Sequence, residues 1–300
     1  MQTIKMNNNS YRKNIKAVIV LLLPALLIYL AFEVLPIIQS FYFAFFQWNG
    51  MVTVPLKFVG FNNFFDLAKN SYFPLALKNT LWFMILSTIV QLSVAFLLAL
   101  ALATYCKGYK FFKATFFIPL VLSLTGVSLM WYFILFPGSG PLSSLLTGIG
   151  LDGWNRQWLA DKGTAINSII LVNSWVSIGF YMVVLFSALT TISQDILESA
   201  EIDGSLGLHS IFMIKIPLIW DVIKVAIVME ITGNLKIFEI VFIMTRGGPD
   251  GLTNTLGTLL YNEAFQYFHF GTGSVISIII FALSITITIF SLKVMQRETL

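Results

Sequence analysis

Long runs without a charged residue recur along this chain, and they fix its solvent before anything else. A segment that crosses a bilayer core needs about 20 mostly apolar residues. Six segments reach that length: about 17–44, 80–104, 112–136, 165–190, 218–245 and 273–293. Hydrocarbon cannot hydrogen-bond an open backbone, so each is expected to be a helix. The first is long and carries Glu33 and Pro36; tilt, or a bend at Pro36, absorbs the excess. The expected fold class is all-α, a polytopic membrane protein with six transmembrane helices.

Composition excludes the soluble alternative. The chain is 57% hydrophobic and 11% charged, far below the roughly 25% charge of soluble domains. The net charge of +4 reports topology rather than nucleic-acid binding, because Lys and Arg collect in cytoplasmic loops. One side of the six segments holds ten basic residues: Lys5, Arg12, Lys13, Lys16, Lys107, Lys110, Lys113, Lys215, Lys293 and Arg297. The other holds six over longer loops: Lys57, Lys69, Lys78, Arg156, Lys162 and Arg246. The first side, with both termini, is expected to be cytoplasmic. The N-terminal apolar run continues past Glu33 with no small-x-small cleavage site, so it reads as a retained span rather than a secretory signal. The single cysteine, Cys106, forms no disulfide within one chain.

The segment between the fourth and fifth spans, 191–217, stands apart. It concentrates Asp195, Glu198, Glu201 and Asp203 in an otherwise apolar chain. "SQDILESAEIDG" reads as a short helix, with Ser193 as N-cap, Asp195 in the first turn and Gly204 as C-cap. "SLGLHSIFMIKIPL" resumes as a more apolar helix, with Ile211, Ile214 and Leu218 on one face and a bend at Pro217. By itself this is a solvated helical hairpin.

The order of residues adds more. Glu198, Ser199, Ala200, Asp203, Gly204 and Ser205, with Ile214, Ile216 and Pro217 after them, fall on the pattern E-[AS]-A-x-x-D-G-[AS] with a proline thirteen positions after the glycine. This resembles the EAA loop of permease subunits in binding-protein-dependent ABC importers, with Ser199 where the family usually has alanine. "LVNSWVSIGFYMVVLFSALTTISQDILESAEIDG", "FIMTRGGPDGLTNTLGTLLYNEAFQYFHFGTGSVIS" and "VLPIIQSFYFAFFQWNG" extend the resemblance to the carbohydrate uptake class, similar to the maltose and glycerol-3-phosphate permeases. The large extracytoplasmic insertion of the enterobacterial maltose member is absent.

The resemblance implies a division into 1–79 (N-terminal segment, first helix and outer loop) and 80–295 (a five-helix core carrying the coupling loop). It implies a bacterial inner-membrane location and transport of a sugar, with an oligosaccharide favoured. Its implied partners are a second permease, two ATPase subunits and an extracytoplasmic solute-binding protein, alongside the sugar and the lipid bilayer. No nucleic acid is implied. The chain has no G-x-x-x-x-G-K-[ST] loop, so ATP and Mg are expected on the ATPase subunits, and no cofactor, metal or catalytic residue is expected here. Glu198, Ser199, Ala200, Asp203, Gly204 and Ser205 would form the ATPase contact.

Polar groups inside spans are costly and so are candidates for the solute path. The fifth segment holds Glu230, Asn234, Lys236 and Glu239. Glu230 and Asn234 share a face at i,i+4, and Lys236 and Glu239 are spaced to pair at i,i+3. Thr232 and Gly233 loosen the helix beside Asn234. In the fourth segment Asn173, Ser177 and Phe180 make one stripe, with Trp175 and Tyr181 beside it. Aromatic faces stack on sugar rings, while amides and hydroxyls bond sugar hydroxyls. Interfacial anchoring for the aromatic residues and a structural salt bridge for Lys236–Glu239 are the alternatives. A permease for another solute, such as glycerol-3-phosphate, and a self-sufficient secondary transporter remain open as functions. The second would often show internal repeats, which are not evident.

Overall fold

The computed structural model describes residues 8–105 and 107–295. Cys106, Lys5 and Arg297 lie outside the described residues. The elements follow in order as α1 (Asn8–Tyr29), α2 (Leu35–Phe43), β1 (Phe46–Gln47), β2 (Lys57–Phe58), α3 (Asn62–Lys69), α4 (Phe73–Tyr105), α5 (Tyr109–Val121), α6 (Leu124–Ile134) and α7 (Pro141–Gly148). After them come α8 (Ala165–Leu189), α9 (Gln194–Ile202), α10 (Gly207–Ser210), α11 (Ile216–Leu218), α12 (Trp220–Leu235), α13 (Glu239–Thr245), α14 (Leu256–Tyr261) and α15 (Phe270–Val294). The all-α expectation holds; the one exception among the described residues is a two-residue antiparallel ladder, β1–β2.

Four helical stretches are individually long and apolar enough to cross a membrane: Val20–Phe43, Phe73–Thr104, Ala165–Leu189 and Phe270–Val294. The third expected span is α5 and α6, bent by 92° at Leu122–Ser123. Counting that pair as one span gives five. The expected fifth span, 218–245, is no continuous helix. It is α12, a break over Lys236–Phe238, and α13. The expected second span begins seven residues early, at Phe73, because Lys78, Asn79 and Thr80 sit inside the helix instead of ending it.

Two prolines shape helices by a common route. A proline has no N–H to donate and its ring crowds the carbonyl four residues back. The chain widens by one π turn just before each, at Leu30–Val34 ahead of Pro36 and at Ile211–Lys215 ahead of Pro217. The helix continues through both sites rather than stopping.

Two compact units are defined: residues 1–67 with 263–278, and residues 68–262 with 279–300. In the first, Val20–Phe43 leads into the β1–β2 hairpin. The Asn63 amide holds the turn between them by donating to the Ala44 and Phe46 carbonyls, at 2.8 and 3.0 Å.

In the second unit α4 and α8 run side by side in the same direction. Trp82 donates to Asn167, Phe83 packs with Ile169 and Ile170, and Ala95 and Ala99 lie against Met182 and Leu185. Small residues at i,i+4 let two helix backbones approach closely, as membrane helices require. The tightest approach is at Gly179 of α8. A Cβ there would lie 2.0 Å from the Phe116 carbonyl oxygen of α5. Gly179→Val should therefore force α5 from α8 and lower the thermal stability of the purified protein, by more than Gly179→Ala does. Overpacking of this kind costs about 1–3 kcal/mol. Equal melting temperatures for Gly179→Val and the parent would refute the contact.

Candidate functional site

The 191–217 loop folds as its sequence suggests, with one refinement. Ser193 is extended at the start of α9 and Asp195 stands in the first turn, although the Ser193 side chain makes no capping bond. The helix closes in a Schellman arrangement: Ser205 N–H donates to Ala200 O at 2.8 Å and Gly204 N–H to Glu201 O at 3.0 Å. This places Gly204 at φ +81, a left-handed conformation that glycine adopts without steric cost. Ala200 and Ser205 are buried by this closure, while Glu198, Ser199, Asp203 and Gly204 are exposed. The loop also presents apolar side chains that the sequence reading did not single out. Ile202 is 87% exposed, and Leu206 and Leu208 beside it are also exposed. An acidic rim around exposed aliphatic groups suits a contact with a water-soluble protein.

The second constellation lies where α8 and α12 meet. Asn173 Nδ2 donates to Asn234 Oδ1 at 3.2 Å, and Asn234 Nδ2 donates to Glu230 Oε1 at 2.6 Å. The Tyr181 hydroxyl faces the same Glu230 carboxylate. Asn173, Tyr181, Glu230 and Asn234 are all buried, so an amide–amide–carboxylate relay crosses between two apolar helices with the Tyr181 phenol beside it. Trp175 is exposed on the same helix as Asn173, edge-on to Trp131 at 5.7 Å between ring centroids. Ser177 and Phe180 are half-buried, and the Phe180 ring meets Tyr181 at 5.1 Å. Of the expected stripe on α8, Asn173 is brought to Asn234.

Lys236 and Glu239 are not brought together. Their expected pairing assumed a continuous helix, and α12 ends at Leu235. Among the described residues the Glu239 carboxylate instead accepts the Thr125 hydroxyl of α6, at 2.7 Å. Lys236 is exposed at the break.

The break is held from outside the helix. Ile237 O, freed from helical bonding, accepts the Thr255 hydroxyl at 3.1 Å. A Cβ on Gly257 would come 2.6 Å from that same oxygen. The Asn79 amide donates to Leu252 O and Asn254 O, both at 2.9 Å, and the Leu256 N–H donates to the Thr80 hydroxyl at 2.8 Å. These buried threonines and asparagines clamp the 246–258 segment to the start of α4 and to the break. The "MTRGGPDGLTNT" run was visible in the sequence, but its partners are more than 170 positions away.

Apolar helices long enough to cross a bilayer, with breaks inside two of the expected spans, define a polytopic membrane protein. Comparison with known proteins then gives the family. No protein-family model matches the chain. It is 32% identical over 274 residues to the "Probable ABC transporter permease protein YurN" of Bacillus subtilis, covering 91% of this chain and 93% of the relative. It is 28% identical over 276 residues to the "Multiple sugar-binding transport system permease protein MsmF" of Streptococcus mutans, covering 92% and 94%. Among solved structures, a bacterial ABC transporter involved in the import of the acidic polysaccharide alginate superposes with a TM-score of 0.83 at 25% identity. That match covers 97% of this chain and 100% of that one.

The chain belongs to the ABC transporter permeases, and its relatives place it in the carbohydrate uptake class that the sequence resembles. It is a membrane subunit and not itself an enzyme, working with separate ATPase partners.

Proposed function

We propose that this chain translocates an oligosaccharide through the membrane as one of two permeases in an ATP-driven importer. The observation that carries the substrate class is the relay from Asn173 through Asn234 to Glu230, with the Tyr181 phenol and the exposed Trp175 ring beside it. Amide and hydroxyl groups can exchange their mutual bonds for bonds to sugar hydroxyls, and an indole face stacks on a pyranose ring. Ser177 and Phe180 extend this surface, and Lys236 and Glu239 stand at the edge of the break. A phosphate-bearing solute would favour a basic lining, and the 218–245 segment holds only two cations, Lys224, which is paired with Asp221, and Lys236. The sugar relatives and the alginate importer support the same class.

In this reading a solute-binding protein delivers the sugar, a second permease completes the path, and two ATPase subunits bind ATP and Mg. The α9–α10 loop is the ATPase contact: Glu198, Ser199, Asp203 and Gly204 lie on its surface, while Ala200 and Ser205 hold its shape. ATPase closure moves the loop, and the attached helices rock as rigid bodies. Six membrane crossings, with spans three and five as broken helices, put both termini and this loop in the cytoplasm. Residues 80–295 form the transporting core, and 1–79 an N-terminal addition to it.

Reconstitution with the cognate ATPases, second permease and binding protein tests the function. Oligosaccharide uptake should require ATP, the binding protein and this chain together. Uptake that persists without the ATPase subunits would overturn it. Orientation has its own check in a Cys106→Ser background. A cysteine at Asp250 should react with an impermeant thiol reagent in intact cells, and one at Lys110 should not. The reverse labelling would place the α9–α10 loop on the wrong side of the membrane for ATPase contact.

A further inference from the structure

The C-terminal end of the first span leads into an exposed apolar surface. From Val20 to Phe43 the span is 24 residues, about 36 Å of helix at 1.5 Å per residue. That length exceeds a hydrocarbon core of about 30 Å. None of the 18 residues in its most apolar window is buried. The chain then enters the hairpin within three residues, so the hairpin starts where the span leaves hydrocarbon.

The hairpin has two unlike faces. Successive strand residues point to opposite sides, and the register pairs Phe46 with Phe58 and Gln47 with Lys57. One side is therefore aromatic and the other polar. The Phe46 and Phe58 rings meet at 5.4 Å, yet Phe58 remains 68% exposed. Val52, in the connecting loop, is 100% exposed. Phe61 and Phe65 continue the apolar surface at i,i+4, while Asn63 and Leu67 on the same helical segment are buried.

The hairpin is also rigid. Asn63 ties it down as described, Phe270 N–H donates to Trp48 O at 3.0 Å, and Trp48 packs between Phe43 and Phe270. A Cβ on Gly271 would meet Phe46 O at 2.3 Å.

We infer that this hairpin and the start of α3 form an interfacial membrane anchor, with Val52, Phe58, Phe61 and Phe65 immersed among lipid headgroups and Lys57 turned to water. The partner is the bilayer interface rather than a protein, because the surface continues directly from an apolar span whose most apolar window has no buried residue. An amphipathic, aromatic-rich element lying at a span end is what the interface favours. Water alone would leave a contiguous apolar patch exposed.

The test uses the full chain with Cys106→Ser in phosphatidylcholine nanodiscs, where both faces are accessible. Single cysteines Val52→Cys, Phe58→Cys and Lys57→Cys carry an environment-sensitive fluorophore. Lipid with a nitroxide on its headgroup should quench the Val52 and Phe58 labels several-fold more strongly than the Lys57 label, and aqueous iodide should show the opposite order. Iodide quenching at Val52 equal to that at Lys57, with no lipid quenching, overturns the anchor. Protection of Val52 from both quenchers also overturns it, because a protein surface then covers the hairpin. Val52 touches nothing, so its substitution leaves the fold intact and decides the question even where Phe58→Cys misfolds.

Discussion

Ile202→Asp should strip the ATPase from this permease while leaving the permease folded. Ile202 ends α9 and is 87% exposed, so it contributes little to the stability of the chain itself. An aliphatic side chain held in that position gains only when a partner covers it. Leu206 and Leu208 stand exposed beyond it, and together they form an apolar centre with Glu198 and Asp203 around it. A charge buried at such a centre costs about 2 kcal/mol or more, roughly thirty-fold in affinity. Co-purification of the ATPase with tagged permease should fall accordingly, with unchanged permease yield and melting temperature. Glu198→Ala should have a smaller effect, because rim charges are screened by water and salt. Gly204 is a less direct probe. Its left-handed backbone closes the Schellman turn, so a larger residue there deforms the loop as well as its surface. Undiminished ATPase association in Ile202→Asp would remove the aliphatic centre from the docking surface.

The acidic residues of the α9–α10 loop were legible in the sequence, and its exposed aliphatic residues were not. Glu198 and Asp203 are conspicuous because charge is rare in this chain. Ile202 and Leu206 are invisible for the opposite reason: one more aliphatic residue carries no information where most residues are apolar. The same asymmetry runs through the fold. Hydropathy located each helical segment, since about 20 apolar residues have few other uses. It could not locate the breaks. Leu122–Ser123 lies in apolar sequence, the polar residues around Lys236–Phe238 also fit a continuous helix, and what stabilises the breaks lies outside them. Thr255 supplies Ile237 O with its missing donor, and Thr125 meets Glu239 across 114 positions. The pair of Lys236 with Glu239 failed for this reason alone, because i,i+3 spacing means proximity only where the helix continues. Glu230 and Asn234 succeeded because their spacing lies wholly within α12. The Asn173 bond was not legible, because nothing in the sequence pairs a residue of one span with a residue of another.

Asn234→Leu should reduce both the amount of assembled importer and the uptake by each complex that remains. Asn234 is the middle of the relay, 4% exposed, accepting from Asn173 and donating to Glu230. Leucine fills the volume but offers no bond. Asn173 then loses its acceptor, and the Glu230 carboxylate loses its donor from Asn234. Each buried polar group left without a partner costs about 1–3 kcal/mol, with more for a charged one. That loss should appear as a several-fold drop in assembled complex recovered from membranes. If the relay also meets the sugar, the remaining complexes have lost a group that exchanges bonds with its hydroxyls, and uptake per complex falls too. Trp175→Ala separates the two roles. Its ring is exposed and edge-on to Trp131, so its removal should spare assembly and lower uptake per complex. Normal uptake per complex in both variants would make the relay a brace between α8 and α12 and place the sugar path elsewhere. Normal uptake in Asn234→Leu alone would keep the aromatic face in the path and assign the amides to holding it in position.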